Sequence, residues 1–152
     1  MTTVFLGRFQ PFHQGHKHVI EQNKEDELVL VIGSAEESRT DENPLNTEER
    51  KQLIQECFPE IPIYTLKDYE SDEKWSEKLI EKTEAKKVIS GNDWVKKALK
   101  NTEIEVKEPE MHDPEIYSGT EVRRRINSGG EWSYLVPECN RGKLKQLVET
   151  IE

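Results

Sequence analysis

The residues best placed to do chemistry lie near the start of the chain. In "FLGRFQPFHQGHKHV", residues 5–19, His13 and His16 flank a glycine, just after a short apolar run and just before an amphipathic one. Three readings of the pair are open: a metal site, a chance pairing, or a site for an anion. Three-residue spacing at the junction of loop and helix, with no further His or Cys cluster nearby, counts against a metal. The context suits an anion. Gly7 ends the apolar run and lets a ligand approach the backbone closely. The helix that begins near Gln14 or Gly15 points unpaired N–H groups and a partial positive charge at whatever sits there. Two imidazoles, with Arg8 nearby, add donors of the kind that bind phosphate oxygens.

Such a loop must be held by a strand before it and a helix after it, and the rest of the chain alternates in that way. "TVFLG" (3–7) reads as a first strand and residues 14–23 as a helix carrying Val19 and Ile20 inward. "ELVLVIGSA" (27–35) is a continuous apolar run, the pattern of a strand buried on both faces. Asn46 with Glu49 three residues on forms a capping-box pattern that starts a helix ending before Pro59. Further strands are predicted at 61–66, 86–90 and 103–108, and further helices at 72–84, 93–100, 118–129 and over the tail from 142. Alternation of this kind implies right-handed crossovers and a mostly parallel sheet of about five strands covered on both faces: an α/β, doubly wound, Rossmann-like fold in one domain over 1–152, with a C-terminal helical tail from about 138. Ligands in such folds bind beyond the C-terminal strand ends, which selects the loops 7–16, 33–46, 67–75, 90–94 and 109–120.

Composition narrows the partners. With 22 Lys and Arg against 31 Asp and Glu, the net charge of −9 disfavours a broad nucleic-acid-binding face but not a small anionic ligand in a local basic pocket. The N-terminus has no basic segment followed by a long apolar one, and no apolar run nears the roughly 20 residues a bilayer requires, so a cytoplasmic protein with no membrane association is expected. Cys57 and Cys139, far apart and without Cys-x-x-Cys spacing, are expected to be packing residues rather than a disulfide or a zinc site.

The segment "GRFQPFHQGH" resembles the His-x-Gly-His signature loop of the nucleotidyltransferase superfamily, and "YSGTEVRRRI" (117–126) resembles its second phosphate-binding signature in the wording of archaeal-type nicotinamide-nucleotide adenylyltransferases. "GSAEESRTDENPLNTEER", "SGNDWV" and "GEWSYLVP" are similar to segments of that family in the same order, so the resemblance runs from residue 3 to about 137. One departure is visible: beyond Pro137 the chain is shorter than the family's usual final helical region.

The resemblance implies an enzyme that transfers AMP from ATP to the 5′-phosphate of nicotinamide mononucleotide (NMN), releasing pyrophosphate and forming NAD, as a homo-oligomer with Mg²⁺ carried mainly by ATP; nicotinic acid mononucleotide stays open as the other acceptor. His13, His16 and Arg123 are then the catalytic set. Gly7, Arg8, Phe9, Gly15, Ser118, Gly119, Thr120 and Arg39 would bind ATP or its phosphates, Asn43 assisting Arg39, with a solvated loop as the other reading of 39–43. Arg123 to Arg125 point about 100° apart on a helix, so only one can face the phosphates, and Arg123, on the first turn, is the one expected. Trp75, Asp68 and Asn92 are the expected NMN contacts, with core packing the alternative for Trp75 and helix capping for Asp68 and Asn92. Trp94 and Trp132 are expected in the core, His18 in solvent, and His112 in a loop without a role. A transferase acting on phosphopantetheine or flavin mononucleotide, and a non-catalytic sensor of NAD or ATP, are the competing functions.

Overall fold

The computed structural model of the chain describes every residue except 1, 25, 37, 41, 42, 111, 112, 115 and 152, so His112 lies outside the described residues. In chain order the elements are β1 (Thr2–Gly7), α1 (Gln14–Gln22), β2 (Glu27–Ile32), α2 (Thr47–Cys57), β3 (Ile63–Thr65), α3 (Asp72–Thr83), β4 (Lys87–Ile89), α4 (Asp93–Ala98), β5 (Glu105–Lys107), α5 (Gly119–Ser128), a 3₁₀ turn (Ser133–Leu135) and α6 (Glu138–Ile151). The strands form one parallel sheet in the order β3-β2-β1-β4-β5. The expected α/β class therefore holds, and the chain winds both ways from a switch point between β1 and β4.

The central strands are apolar over most of their length because both faces are covered. Along β1 and β2, Phe5, Leu30 and Ile32 join one core with Ile20, Leu53, Ile54, Val122 and Leu144. Val4, Leu6, Val29 and Val31 point the other way, against Trp75, Leu79, Val88 and Val95. Period-two side-chain alternation thus assigns α1, α2, α5 and α6 to one face and α3 and α4 to the other.

The differences from sequence expectation fall at element ends. The second strand stops at Ile32 because the chain turns at Gly33 and Ser34, the latter in the left-handed region with φ 49°. The edge strand β5 shrinks to Glu105–Lys107, having one neighbour to pair with. The last helix begins at Glu138, before the expected 142. Among the described residues no helix is long and apolar enough to cross a membrane.

The cysteines overturn their expectation. Cys57 and Cys139 form a disulfide that joins the end of α2 to the start of α6, with Cα atoms 5.6 Å apart and 82 residues between them in sequence. Spacing along the chain carried no sign of this, because the packing of α2 on α6 is what brings the thiols together. Closing so long a loop stabilises the folded state by about 4 kcal/mol in the chain-entropy account. Beside it the fully buried Asn140 donates from Nδ2 to the Leu53 carbonyl at 2.5 Å, a second tie between the same helices.

Candidate active site

The spacing of His13 and His16 is the spacing of a helix cap. His13 is the N-cap of α1 and its Nδ1 accepts from the Gly15 N–H at 3.0 Å, while the Nδ1 of His16, three residues into the helix, accepts from the His13 N–H at 3.1 Å. This is a capping box built from imidazoles, where Ser or Asp with Glu is usual. The rings stack with centroids 3.6 Å apart, and His16 also stacks on Phe12 at 5.6 Å. Since each Nδ1 is an acceptor, each neutral ring carries its proton on Nε2 and can donate from there.

The imidazoles are held neutral. Burial first, and then the nearby Arg123 guanidinium, lower the His13 pKa to about 3. Burial and then His13 itself keep His16 well below the ordinary 6.5. The unfolded chain, whose histidines keep ordinary values, takes up protons below about pH 6.5 that the folded protein refuses. The contribution of these residues to stability is therefore complete above that pH and falls on acidification; for His13 it falls by about 1.4 kcal/mol per pH unit down to about pH 3. Urea unfolding near pH 7 and near pH 5.5 is expected to show a lower midpoint at the acid pH. His13→Asn, which keeps a capping acceptor but does not titrate, should shrink the difference; an unchanged difference would remove His13 as its source.

Arg123 comes to this loop from far along the chain. Ser118 caps α5 by accepting from the Glu121 N–H at 3.1 Å, so the helix opens with Gly119 and Thr120. The three consecutive arginines 123–125 then diverge as their 100° steps require. Arg124 and Arg125 pair with Glu121 at 2.5 and 2.8 Å, whereas Arg123 donates from Nη1 to the Gln10 carbonyl at 2.8 Å and from Nη2 to Thr120 Oγ1 at 3.3 Å. A Cβ on Gly119 would lie 2.8 Å from that Nη1, so the glycine makes room for the guanidinium. Gln10 is itself buried and clasps Leu45 in both directions, at 2.8 and 2.9 Å. His13, His16, Ser118, Gly119, Thr120 and Arg123 thus converge where two helix N-termini meet the end of the sheet.

Two clefts flank the 8–13 loop. A cleft of about 530 Å³ at the C-terminal ends of β1, β2 and β4 is lined by Gly7, Arg8, Gly33, Ser34, Asp68, Trp75, Asn92 and Trp94. It sits at the switch point, where an open α/β sheet receives ligands. A second, of about 220 Å³, has Arg39 and Arg123 on its rim and Leu45, Ile126, Leu144 and Val148 among its walls.

Several expected residues have other partners as well. Arg39 is engaged by Glu49, at 2.6 Å, and by the Pro44 carbonyl, at 2.8 Å, with Asn43 nearly buried behind it. The Phe9 ring is in the core, and the space beside Gly7 is filled by that ring, which a Cβ would approach to 3.1 Å, not kept open for a ligand. Asn92 caps α4 through Oδ1 and lines the larger cleft, and Asp68 accepts from the Ser34 hydroxyl at 3.2 Å. Trp75 is both core and cleft wall: it is 3% exposed and packs edge-on against Trp94 at 4.8 Å.

Two expectations are corrected. Trp94 is not a core residue but 41% exposed at the cleft, because the Asn92 cap places it in the first turn of α4, over the strand ends. His18 is half-buried in a groove that it lines with Gln14, Lys17 and Tyr117. Sequence reading also passed over Gln10, Ser34 and Arg50. An arginine four residues after a capping asparagine looks like an ordinary solvated helix residue, and only the folded chain shows it fully buried.

Residues 4–125 match the family described as cytidylyltransferase-like. The nicotinamide-nucleotide adenylyltransferase of Halobacterium salinarum is 36% identical over 142 residues, covering 89% of this chain and 80% of that protein. That of Methanosarcina barkeri is also 36% identical, over 160 aligned residues, covering 100% and 88%. Among solved structures, a bifunctional NMN adenylyltransferase/ADP ribose pyrophosphatase from Francisella tularensis, complexed with AMP and a Mn ion, superposes with a TM-score of 0.78 at 21% identity over 99% of this chain. This chain spans about half of that protein, 51%. The NadR protein in complex with NAD and AMP-PNP superposes with a TM-score of 0.65 at 18% identity, over 84% of this chain and 42% of that one. At these identities the two structures speak to the fold.

Proposed function

Because the chain belongs to the cytidylyltransferase-like family and, within it, to the nicotinamide-nucleotide adenylyltransferases, we propose that it joins ATP and nicotinamide mononucleotide into NAD and pyrophosphate. The observation that carries the reading is the convergence of the His13–His16 cap and Arg123 at two helix N-termini.

In that reaction an oxygen of the mononucleotide's 5′-phosphate attacks the α-phosphorus of ATP. The new P–O bond forms as the bond from the α-phosphorus to the bridging oxygen breaks, and pyrophosphate leaves with the electron pair. The nucleophile, with a second pKa of about 6, is already largely ionised at neutral pH and needs no general base. What it needs is alignment of two polyanions and fixed donors where charge grows. The neutral His13 and His16 provide Nε2–H donors, and their lowered pKa values fit donors, not bases. Ser118, Gly119 and Thr120 present the α5 N-terminus to the β and γ phosphates, and Arg123 neutralises the leaving pyrophosphate. The loop that carries Gly7, Arg8, Phe9 and Gly15 runs between the two clefts and lines the larger one through Gly7 and Arg8, so in this reading it meets the phosphates of both substrates, and Arg39 reaches ATP by exchanging Glu49 for it.

The mononucleotide takes the larger cleft. Trp75 and Trp94 form an aromatic wall suited to a pyridinium cation, and Asn92 and Asp68 bond its carboxamide or ribose. Among the described residues there is no cluster of three or more His, Cys, Asp or Glu able to hold a metal. The groups at the phosphate site are donors and cations, so Mg²⁺ fits there on ATP's own oxygens and on water, and it supplies charge neutralisation when bound. Nicotinic acid mononucleotide is the alternative acceptor. In this reading the protein acts as a homo-oligomer in the cytoplasm, a compartment in which disulfides are uncommon; Cys139, exposed, is where a reductant would meet the Cys57–Cys139 bond.

Incubation with ATP, Mg²⁺ and nicotinamide mononucleotide is expected to yield NAD and pyrophosphate in equal amounts. Phosphopantetheine and flavin mononucleotide in its place should yield no adenylylated product. Absence of both NAD and pyrophosphate in the first reaction would overturn the reading.

A further inference from the structure

Arg50 is 0% exposed, and its guanidinium donates mainly to backbone oxygens, with the Thr47 hydroxyl a further acceptor at 3.4 Å. Nη1 donates to the carbonyls of Arg8 at 3.1 Å and Gly33 at 3.0 Å, and Nη2 to those of Ser34 and Ala35, both at 3.2 Å. These carbonyls belong to the turns that leave β1 and β2, the two central strands beneath the larger cleft. In a trans peptide the carbonyl of one residue and the N–H of the next point in opposite directions. A guanidinium that draws the Arg8 and Gly33 carbonyls inward therefore turns the N–H groups of Phe9 and Ser34 outward, to the side where Arg8, Gly33 and Ser34 line the cleft.

The same two residues are in the left-handed region, Phe9 with φ 53° and Ser34 with φ 49°. For residues with a Cβ this conformation is unfavourable and persists only where the surroundings impose it. Both follow directly on a carbonyl that Arg50 holds. We infer that Arg50 is a positioning residue for the reaction: from the buried side it fixes the left-handed turns at Phe9 and Ser34, and so aims two backbone N–H groups into the cleft as ready-made receptors for phosphate oxygens. Donors fixed before the ligand arrives need no reorganisation during the reaction.

The kinetic part of this inference rests on the adenylyl-transfer reading. Arg50→Lys keeps a positive charge but replaces a planar fork of five donors by a single ammonium with three, which cannot hold all these carbonyls at once. Folded Arg50→Lys is expected to show a KM for ATP or nicotinamide mononucleotide raised by about tenfold, the scale of one hydrogen bond to a charged group. A purely structural defect would instead lower the active fraction and leave KM unchanged. Adding Ser34→Gly, which removes the cost of the left-handed turn, should restore part of the loss in Arg50→Lys. Parental kcat/KM and KM values in folded Arg50→Lys, or no recovery in the double variant, would overturn the inference.

A measurement on the unaltered protein decides the matter if Arg50→Lys does not fold. In a titration with inorganic pyrophosphate followed by ¹⁵N-resolved NMR, the Phe9 and Ser34 amides are expected to be displaced. If neither moves by the end of the titration, the inference fails. No turnover is involved, so this result stands apart from the success or failure of the adenylyl-transfer assay.

Discussion

His16→Ala is expected to reduce kcat by about 10²- to 10³-fold, the effect of deleting one preorganised donor to a charge that develops in the transition state. The loss should fall on kcat more than on KM, because the Nε2–H meets its strongest demand only when the α-phosphate is five-coordinate. The substitution also deletes the acceptor for the His13 N–H and the ring that stacks on His13 and Phe12. A capping contribution of about 1 kcal/mol is lost with it, enough to lower the melting temperature by several degrees without unfolding the protein at assay temperature. Steady-state kinetics together with circular dichroism separate the two effects. Turnover within threefold of the parent would remove His16 from the mechanism.

Arg123→Lys is expected to lower kcat/KM by about 10²-fold even though the charge is conserved. The guanidinium spans two elements at once, the Gln10 carbonyl of the first loop and Thr120 at the start of α5. A lysine ammonium on a flexible stem is a point charge that cannot reproduce a bidentate fork. Gly119→Ala approaches the same residue without altering any charge, since its methyl would lie 2.8 Å from Nη1 and drive the guanidinium aside. If position rather than charge is what matters, Gly119→Ala should reproduce most of the Arg123→Lys defect in the NAD-forming assay. A normal rate in both variants would show that pyrophosphate departs without help from Arg123.

The histidine loop was legible because everything that builds it is local. A strand end, a cap three residues wide and a helix start follow one another within residues 5–19, and the capping box converts their spacing directly into geometry. The Asn46–Glu49 cap formed as expected for the same reason. The tryptophans were harder. Trp75 and Trp94 have similar sequence surroundings, strand followed by helix, yet one is buried and the other lies open at the cleft. Which face of a helix meets the sheet is a question of packing, and an isolated aromatic does not answer it.

Arg50 and the cysteines were the furthest from view. The arginine binds carbonyls 15 to 42 positions away, and the disulfide closes across 82. Neither leaves a mark in local periodicity, because the energy of a buried guanidinium or a crosslink depends on groups that only the folded chain brings near.

By itself, the amino-acid sequence determined the order of elements, the strand ends and the helix starts at His13, Asn46 and Ser118. These follow from apolar periodicity and capping chemistry, which act over a few residues. The tertiary structure alone decided that Arg123 meets the first loop 113 positions upstream, that Arg50 is buried beneath the turns and that Cys57 reaches Cys139. Those pairings arise from stacking helices on the two faces of a twisted parallel sheet, and no short stretch of sequence contains them.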